Sequence, residues 1–586
     1  MKKIVLFTSF LFLMLTFSSC NPNDGYSGLG HTDDYVFAQN FGNTVARDFI
    51  GQVVDVNNVP LQNVTIKIGT TTAQTDVNGV FIINAASVHA RFAYITATKA
   101  GYIDGSRSLV PTAGKNNVRI MLLPNTPTET IQSGVASEVT LSSGTKVSFD
   151  GAFQDENGVA YTGDVSVAMF HLLPSNENID KLMPGMLYAQ TADNKEAVLQ
   201  TFGMLNIELR GSAGQKLNIA KEHTAEITIR IDDNQLATAP STIPLWHFDE
   251  EKGYWKEDGI ATKEGNYYVG TVSHFSWWNC DAQFPTVSLT TTVVDVDGNP
   301  MSDVRVGLLP TGFPYTAYGT TNSIGTVSGL VPSNQTMTLT VLDLCSNIIY
   351  TSSIGPFTTN TVLPNIVITS VMAQSTVVQG TLLKCDNTNV TNGYVLMKSG
   401  TQNSLVAVSN GAFSFNTLVC ATNSNFTLEG FDYENLQTSG TINYTYTTPT
   451  TSVGILTTCN TVSEFISYQI DSGSPVMILT NINAATVISG TGFTISGGLN
   501  SPVGGASIYI SGSTNIPGLY TTAEFSIEGT LGLIDSGITN TVQFNLSNFG
   551  NIGEYIDLTF NGTYEDGQVA GITHTITGTV HVLRDN

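Results

Sequence analysis

Four tryptophans occur in the whole chain: Trp246, Trp255, Trp277 and Trp278. All fall inside one stretch, PLWHFDEEKGYWKEDGIATKEGNYYVGTVSHFSWWNCD, from Pro244 to Asp281. Indole faces stack on sugar rings, and they equally fill cores, each burying on the order of 200 Å². The same stretch holds His247, His274 and the acidic run HFDEE, His247 to Glu251. Paired carboxylates perform glycoside hydrolysis, but the separation that matters there is spatial. The run is read here as the solvated tip of a hairpin. Elsewhere the chemistry-bearing residues are sparse. The eight histidines are scattered, no pair has a metal-ligand spacing near cysteines, and no metal is expected. DVDGN (Asp295 to Asn299) opens like a calcium loop but lacks the acid that closes one, so turn chemistry accounts for it. No GxSxG, HExxH, Walker or dinucleotide-type glycine motif occurs. No catalytic residue, cofactor or enzymatic activity is expected.

Six cysteines complete the reactive set: Cys20, Cys280, Cys345, Cys385, Cys420 and Cys459. In an oxidising compartment such scattered cysteines read as disulfides rather than metal ligands. Cys385, Cys420 and Cys459 lie at the first strand, middle and end of one module, so at least one bridge is expected among them. Such a bridge needs Cα atoms about 4.4 to 6.8 Å apart. Without Cys20 the number is odd, which leaves at least one thiol free or paired with another chain.

Cys20 has its own context. Lys2 and Lys3 precede the apolar run IVLFTSFLFLMLTF (Ile4 to Phe17), which is too short to span a bilayer well. Ser18 and Ser19 then lead to the cysteine, the pattern of a secretory signal. The ending FSSC resembles the lipobox of bacterial lipoproteins, with Phe17 where that family favours Leu. The resemblance implies removal of residues 1–19 and lipidation of Cys20, which attaches the chain to a membrane by several acyl chains. Asn21, rather than Asp, after the cysteine favours the outer membrane, with the chain facing the periplasm or the cell exterior. No later segment is apolar enough to cross a membrane.

The elements that must position these residues are strands. VTIKI (Val64 to Ile68), VSVAMFHL (Val165 to Leu172), LNIEL (Leu205 to Leu209) and ITIRI (Ile227 to Ile231) alternate apolar and polar residues, and NG, DG and GG turns separate such runs. NENIDKL (Asn176 to Leu182) alone suggests a turn or two of helix. A chain of 586 residues is too long for one core. The fold class read from this is all-β, a multidomain chain of tandem β-sandwiches of transthyretin-like or immunoglobulin-like type. Charged residues make up only 12% and the net charge is −24. That balance excludes nucleic acid, whose phosphates need Lys and Arg, and disfavours an electrostatic grip on anionic lipid.

Residues 1–19 are read as signal peptide and 20–46 as a tether. Residues 47–124 contain GQVVDVNNVPLQNVTIKIGTTTAQTDVNGVFII and ATKAGY, with Gly51, Asp55, Pro60, Leu61, Val64 and Phe81 at recurrent positions. This unit resembles the carboxypeptidase regulatory-like domain, a small transthyretin-like sandwich that carries no catalytic residue in its namesake enzymes. Asn78-Gly79 is expected to supply the positive φ of a tight hairpin turn. TTVVDVDGNPMSDVRVGLL opens a similar sandwich in 285–371, and VQGTLLKCDNTNVTNGYVLM with SNGAFSF a third, stronger echo in 372–459. Between the first two lies 125–284, whose MPGML, TFGMLNIEL, GQKLNI and LWHFDEEKGYW resemble the middle region of cartilage intermediate layer protein. Residues 460–586 read as a further sandwich.

Two readings of function follow. One is a non-enzymatic, membrane-anchored lipoprotein whose stacked sandwiches form a binding or adhesion scaffold at the surface or in the periplasm. The alternative is a carbohydrate-binding protein of a glycan uptake system. The partners so expected are the membrane, through Cys20, and a glycan or another surface protein. The tryptophans bear on the choice. Trp246 and Trp255 flank the acidic tip as two hairpin arms and are read as packing residues. Trp277 and Trp278 are adjacent, so on a strand they face opposite ways. Phe275 and Trp277 are expected inside. His274 and Trp278 are expected on the polar side near the next module, either packed at that seam or open to stack a sugar.

Overall fold

The structure, a computed structural model, describes residues 36–585 except 345, 370–372, 401, 421–424, 462–463, 472–475, 479–481, 487–491, 499–506, 530–532, 553–554 and 567–570. The signal segment and Cys20 lie outside the described residues. The chain is all-β, in five successive units, four of which pair two sheets face to face.

Three of the units repeat one topology. In the first, strand Thr44–Asp55 lies antiparallel to Val80–His89 and parallel to Asn116–Leu122. The facing sheet is ordered Thr71–Gln74, Thr65–Ile68, Ala93–Thr98, Gly105–Leu109. Alternate residues of both sheets, among them Phe49, Val53, Ile66, Ile68, Phe81, Ile95 and Ile120, meet in the core. The second unit sets Thr286–Val294 antiparallel to Thr326–Pro332 and parallel to Ile366–Val367. The third sets Ala373–Lys384 antiparallel to Ala412–Cys420 and parallel to Thr450–Thr458. Bridges Val54↔Pro60, Val294↔Pro300 and Leu383↔Asn389 recur at the same turn.

The repeated hairpin shows why its residues are there. Thr75 Oγ1 donates to the Leu61 carbonyl at 2.6 Å and accepts from the Val64 N–H at 2.9 Å. Thr321 makes the same pair of bonds to Met301 and Val304, at 2.7 and 2.9 Å. The third unit has Val408 there, with only the backbone bond, to Gly393, kept at 2.9 Å. In this latch the second unit, not the third, is the closer copy of the first. The tight turn differs from the Asn-Gly expectation: Gly79 alone has positive φ, +67°. Asp76 instead shapes the turn, accepting from the Asn78 and Val80 N–H groups at 2.9 Å each.

The middle unit is a long, bent sheet of 13 strands. Its central strands include Glu196–Gly211, Trp277–Phe284, Thr242–Asp249 and Tyr254–Glu264, paired in that order. The bend closes around Val147, Leu205, Ile207, Ile227, Leu245, Phe275 and Trp278. Asn176 to Leu182 forms one helical turn, Ile179–Leu182. The last unit pairs two sheets over Ile466, Phe493, Ile510, Phe544 and Val580.

The first unit is a hub rather than the base of a linear stack. Its Ile103, Met121 and Leu123 pack against Trp246, Trp255 and Trp277 of the middle unit. Its Ile50, Val80 and Ile82 pack against Tyr394, Leu396 and Phe431 of the third. At that second seam the Tyr394 hydroxyl donates to Asp76 Oδ2 at 2.5 Å. Burial pushes the Asp76 carboxyl up to about 7, against the lowering effect of its hydrogen bonds. Asn117 Nδ2 donates to the Thr321 carbonyl of the second unit at 3.2 Å. The span 20–46, read as a tether, is also folded at its end. Phe37 is fully buried among Phe41, Tyr188 and Tyr254, because two aromatic side chains in an otherwise polar segment suffice to dock it.

Candidate functional site

The tryptophan stretch is core. Thr242–Asp249 and Tyr254–Glu264 are the two arms of a hairpin, with Phe248 opposite Trp255. Trp246, Trp255 and Trp278 have no exposed surface and Trp277 only 3%. Trp277 and Trp278 do face opposite ways, but neither is open. Trp277 joins Trp246 and Trp255 at the seam with the first unit. Trp278, expected on the polar face near the following module, lies instead in the middle unit's own core with Phe275. The strand begins only at Trp277, so Phe275 precedes it and the alternation cannot be extended back to it. The strand is also an interior one, between Glu196–Gly211 and Thr242–Asp249, and both its faces are covered. Trp278 therefore stacks no sugar.

The acidic tip is not simply solvated either. The Tyr94 hydroxyl of the first unit donates to the Glu250 carbonyl, and Ser108 Oγ to the Gly253 carbonyl, each at 2.7 Å. A disulfide joins Cys385 and Cys459, with Cα atoms 4.8 Å apart. Cys280 is a buried free thiol; the side chains of Cys345 and Cys420 lie outside the described residues.

His274 is placed beside a residue that spacing in the sequence does not single out. His247 sits on its strand directly opposite Trp278, and the His274 ring lies 5.1 Å from the Trp278 ring and 4.7 Å from that of His247. Asp258, on the neighbouring arm, reaches both: Oδ2 is 3.6 Å from His247 Nδ1 and 3.9 Å from His274 Nε2. Burial pushes the His247 imidazole down to about 3 and that of His274 down as well, the latter opposed by Asp258.

A large opening lies elsewhere, where the first, middle and second units meet. It is a cleft of about 730 Å³, within the size range of small-ligand sites. One wall is apolar and aromatic: Leu289, Leu308, Phe313, Tyr315, Tyr318 and Met337 of the second unit. The opposing side presents amides and hydroxyls, including Asn117, Ser175, Asn176 and Gln200. Its charged side chains are Arg107, Arg119, Lys181 and Arg305 against Glu177 and Asp180. That balance is the reverse of the whole chain, which has 23 basic and 47 acidic residues. Arg305 lies over the Tyr318 ring, its Cζ 3.8 Å from the ring centre, with its guanidinium 3.5 Å from Asp180. Tyr315 donates its hydroxyl to Asp232 at 2.7 Å. Arg107 is partly buried, which lowers its pKa, and donates to the Met183 carbonyl at 3.1 Å. The polar groups are thus pre-positioned by neighbours. Sequence reasoning missed this site because its lining comes from three units remote along the chain.

No family model and no curated protein matches the chain. Among solved structures, the shaft pilin spaA from Lactobacillus rhamnosus GG is 9% identical, with 30% of this chain and 99% of that one covered and a TM-score of 0.15. The major pilin subunit BcpA of Bacillus cereus is 10% identical over 71% of this chain and 100% of its own, with a TM-score of 0.12. A streptococcal ancillary pilin is 11% identical over 39% and 97%, with a TM-score of 0.13. Superposition at this level carries no inference about what the chain does.

Proposed function

We propose that the chain is a non-enzymatic binding scaffold, anchored to a membrane through a lipid on Cys20, whose ligand enters the three-unit cleft. The carrying observation is the cleft itself: an aromatic wall faced by fixed amides, hydroxyls and guanidinium groups, the composition by which a pre-formed site fixes a polar ligand. The anchor rests on the signal segment ending at Cys20. Adhesion, through a glycan or another surface protein, is the role that follows.

Glycan capture for uptake is the second reading, and the cleft favours a glycan over a wholly apolar ligand. Aromatic rings cover a sugar's C–H faces while amides and hydroxyls pair with its hydroxyl groups. The basic balance favours a glycan bearing carboxylates. A glycan array that includes neutral and acidic sugars, probed with the intact chain in detergent, is expected to show binding. No binding to any glycan would remove that reading. Cys20→Ser should move the protein out of the membrane fraction; a variant that still pellets would overturn the anchor.

A further inference from the structure

We propose that His247, Asp258 and His274 form a binding site for a divalent transition-metal ion of the zinc class. Three separate elements build it: one arm of the hairpin carries His247, the other Asp258, and the turn before Trp277–Phe284 carries His274. Lys256 is the residue opposite His247, and Asp258 lies two places beyond it, so the pleat brings Asp258 to the same face. The three donor atoms, one from each residue, all lie within 4.8 Å of one another. In a tetrahedral zinc site with bonds of about 2.0–2.1 Å, donors stand about 3.3 Å apart. Side-chain movements of about an ångström close that difference.

The arrangement has no good account as an ion pair. The Asp258 oxygen stands 3.6 and 3.9 Å from the two ring nitrogens, longer than a charge-assisted hydrogen bond. His247 Nδ1 is shielded from solvent and has no hydrogen-bond partner, although burying such an atom unpaired is costly. A metal ion satisfies all three groups at once. The surrounding charges permit it: Lys256, which faces His247, is held by Asp249 at 3.3 Å. Two imidazole nitrogens and one carboxylate suit zinc and its neighbours rather than calcium or magnesium, which prefer oxygen alone. Asp258 is half exposed, which leaves a route in and a fourth position for water. The ring of Trp278 backs both histidines at 5.7 and 5.1 Å, and its Nε1 donates to the His274 carbonyl at 3.0 Å, so the first ligands stand on a rigid support.

The test is zinc binding by the intact chain, purified in detergent without a polyhistidine tag, stripped with chelator and dialysed against Zn²⁺. One zinc per chain is expected, with a rise in unfolding temperature. His274→Ala and Asp258→Asn should each weaken binding by about a hundredfold, at or above the usual cost of an outer-shell change. His223→Ala, whose ring pairs with Asp150 elsewhere, should bind as the unaltered chain does. Asp258→Asn is isosteric at a half-exposed position, so it reports even if His274→Ala misfolds. An unaltered chain that takes up no stoichiometric zinc, or uptake unchanged in Asp258→Asn, overturns the site.

Discussion

The tryptophan seam and the three-unit cleft both gather aromatic rings, and they differ in what covers them. At the seam, Trp246, Trp255 and Trp277 are closed in by Ile103, Met121 and Leu123 of the first unit, so their faces are used up by protein. At the cleft, Tyr318 keeps 36% of its surface exposed, and the wall it belongs to opens onto polar groups of two other units. A cluster of large aromatics in sequence thus marks strands that meet, not a ligand platform. The open aromatic wall of the cleft is assembled from commoner residues that converge only in three dimensions.

That contrast can be broken most forcefully at the seam. Trp255→Ala should destabilise the middle unit by about 3–5 kcal/mol, the usual cost of emptying a large aromatic site in a core. Calorimetry checks it, and a loss below about 1 kcal/mol would mean the seam is loosely packed. Next comes the third unit, where Cys385 and Cys459 close a loop with a sequence separation of 74. Reduction should cost about 2–4 kcal/mol in that unit and leave the middle unit's transition unmoved. Proteolysis before and after reductant locates the effect.

A pH-dependent effect belongs to the seam between the first and third units. Asp76 has a folded value of about 7 against an ordinary 3.8. The folded state therefore holds this proton more tightly than the unfolded one. Its contribution is fully present below about pH 3.8 and is lost as pH rises through about 7. Unfolding followed from pH 4 to 8 should show that decline, and Asp76→Asn should flatten it. A decline unchanged in the variant would assign it to another group. Smallest is Tyr318→Ala at the open cleft, expected to change stability by about 0.5 kcal/mol or less while reducing glycan binding.

Much of the fold was legible because strand alternation and turn residues are local. The hairpin arms LWHF and YWKE and the recurring DVNNVP-type turn are examples. A bridge was expected among Cys385, Cys420 and Cys459 without its pairing; the strand register selects it, since Lys384 and Thr458 are partners on parallel strands and the residues after them emerge side by side. The side taken by Trp278 was not legible, since alternation gives opposite faces but not which of them a neighbouring unit covers. The docking of Phe37 hid in a segment without periodicity. The cleft and the pairing of His247 with His274 were equally out of reach, because strand order and module docking create them and neither is written in linear spacing.

The central claim is that ligand enters the three-unit cleft. Gly329 lines it, and a Cβ added there would meet nothing within 4 Å, so Gly329→Trp is the substitution that sets a large side chain in the cleft from an open position. The decisive measurement is the affinity of this variant, beside the unaltered chain, for the glycan that the array selects. At least a tenfold loss with an unchanged unfolding temperature is predicted; equal affinity in a folded variant would place the binding surface elsewhere and contradict the account.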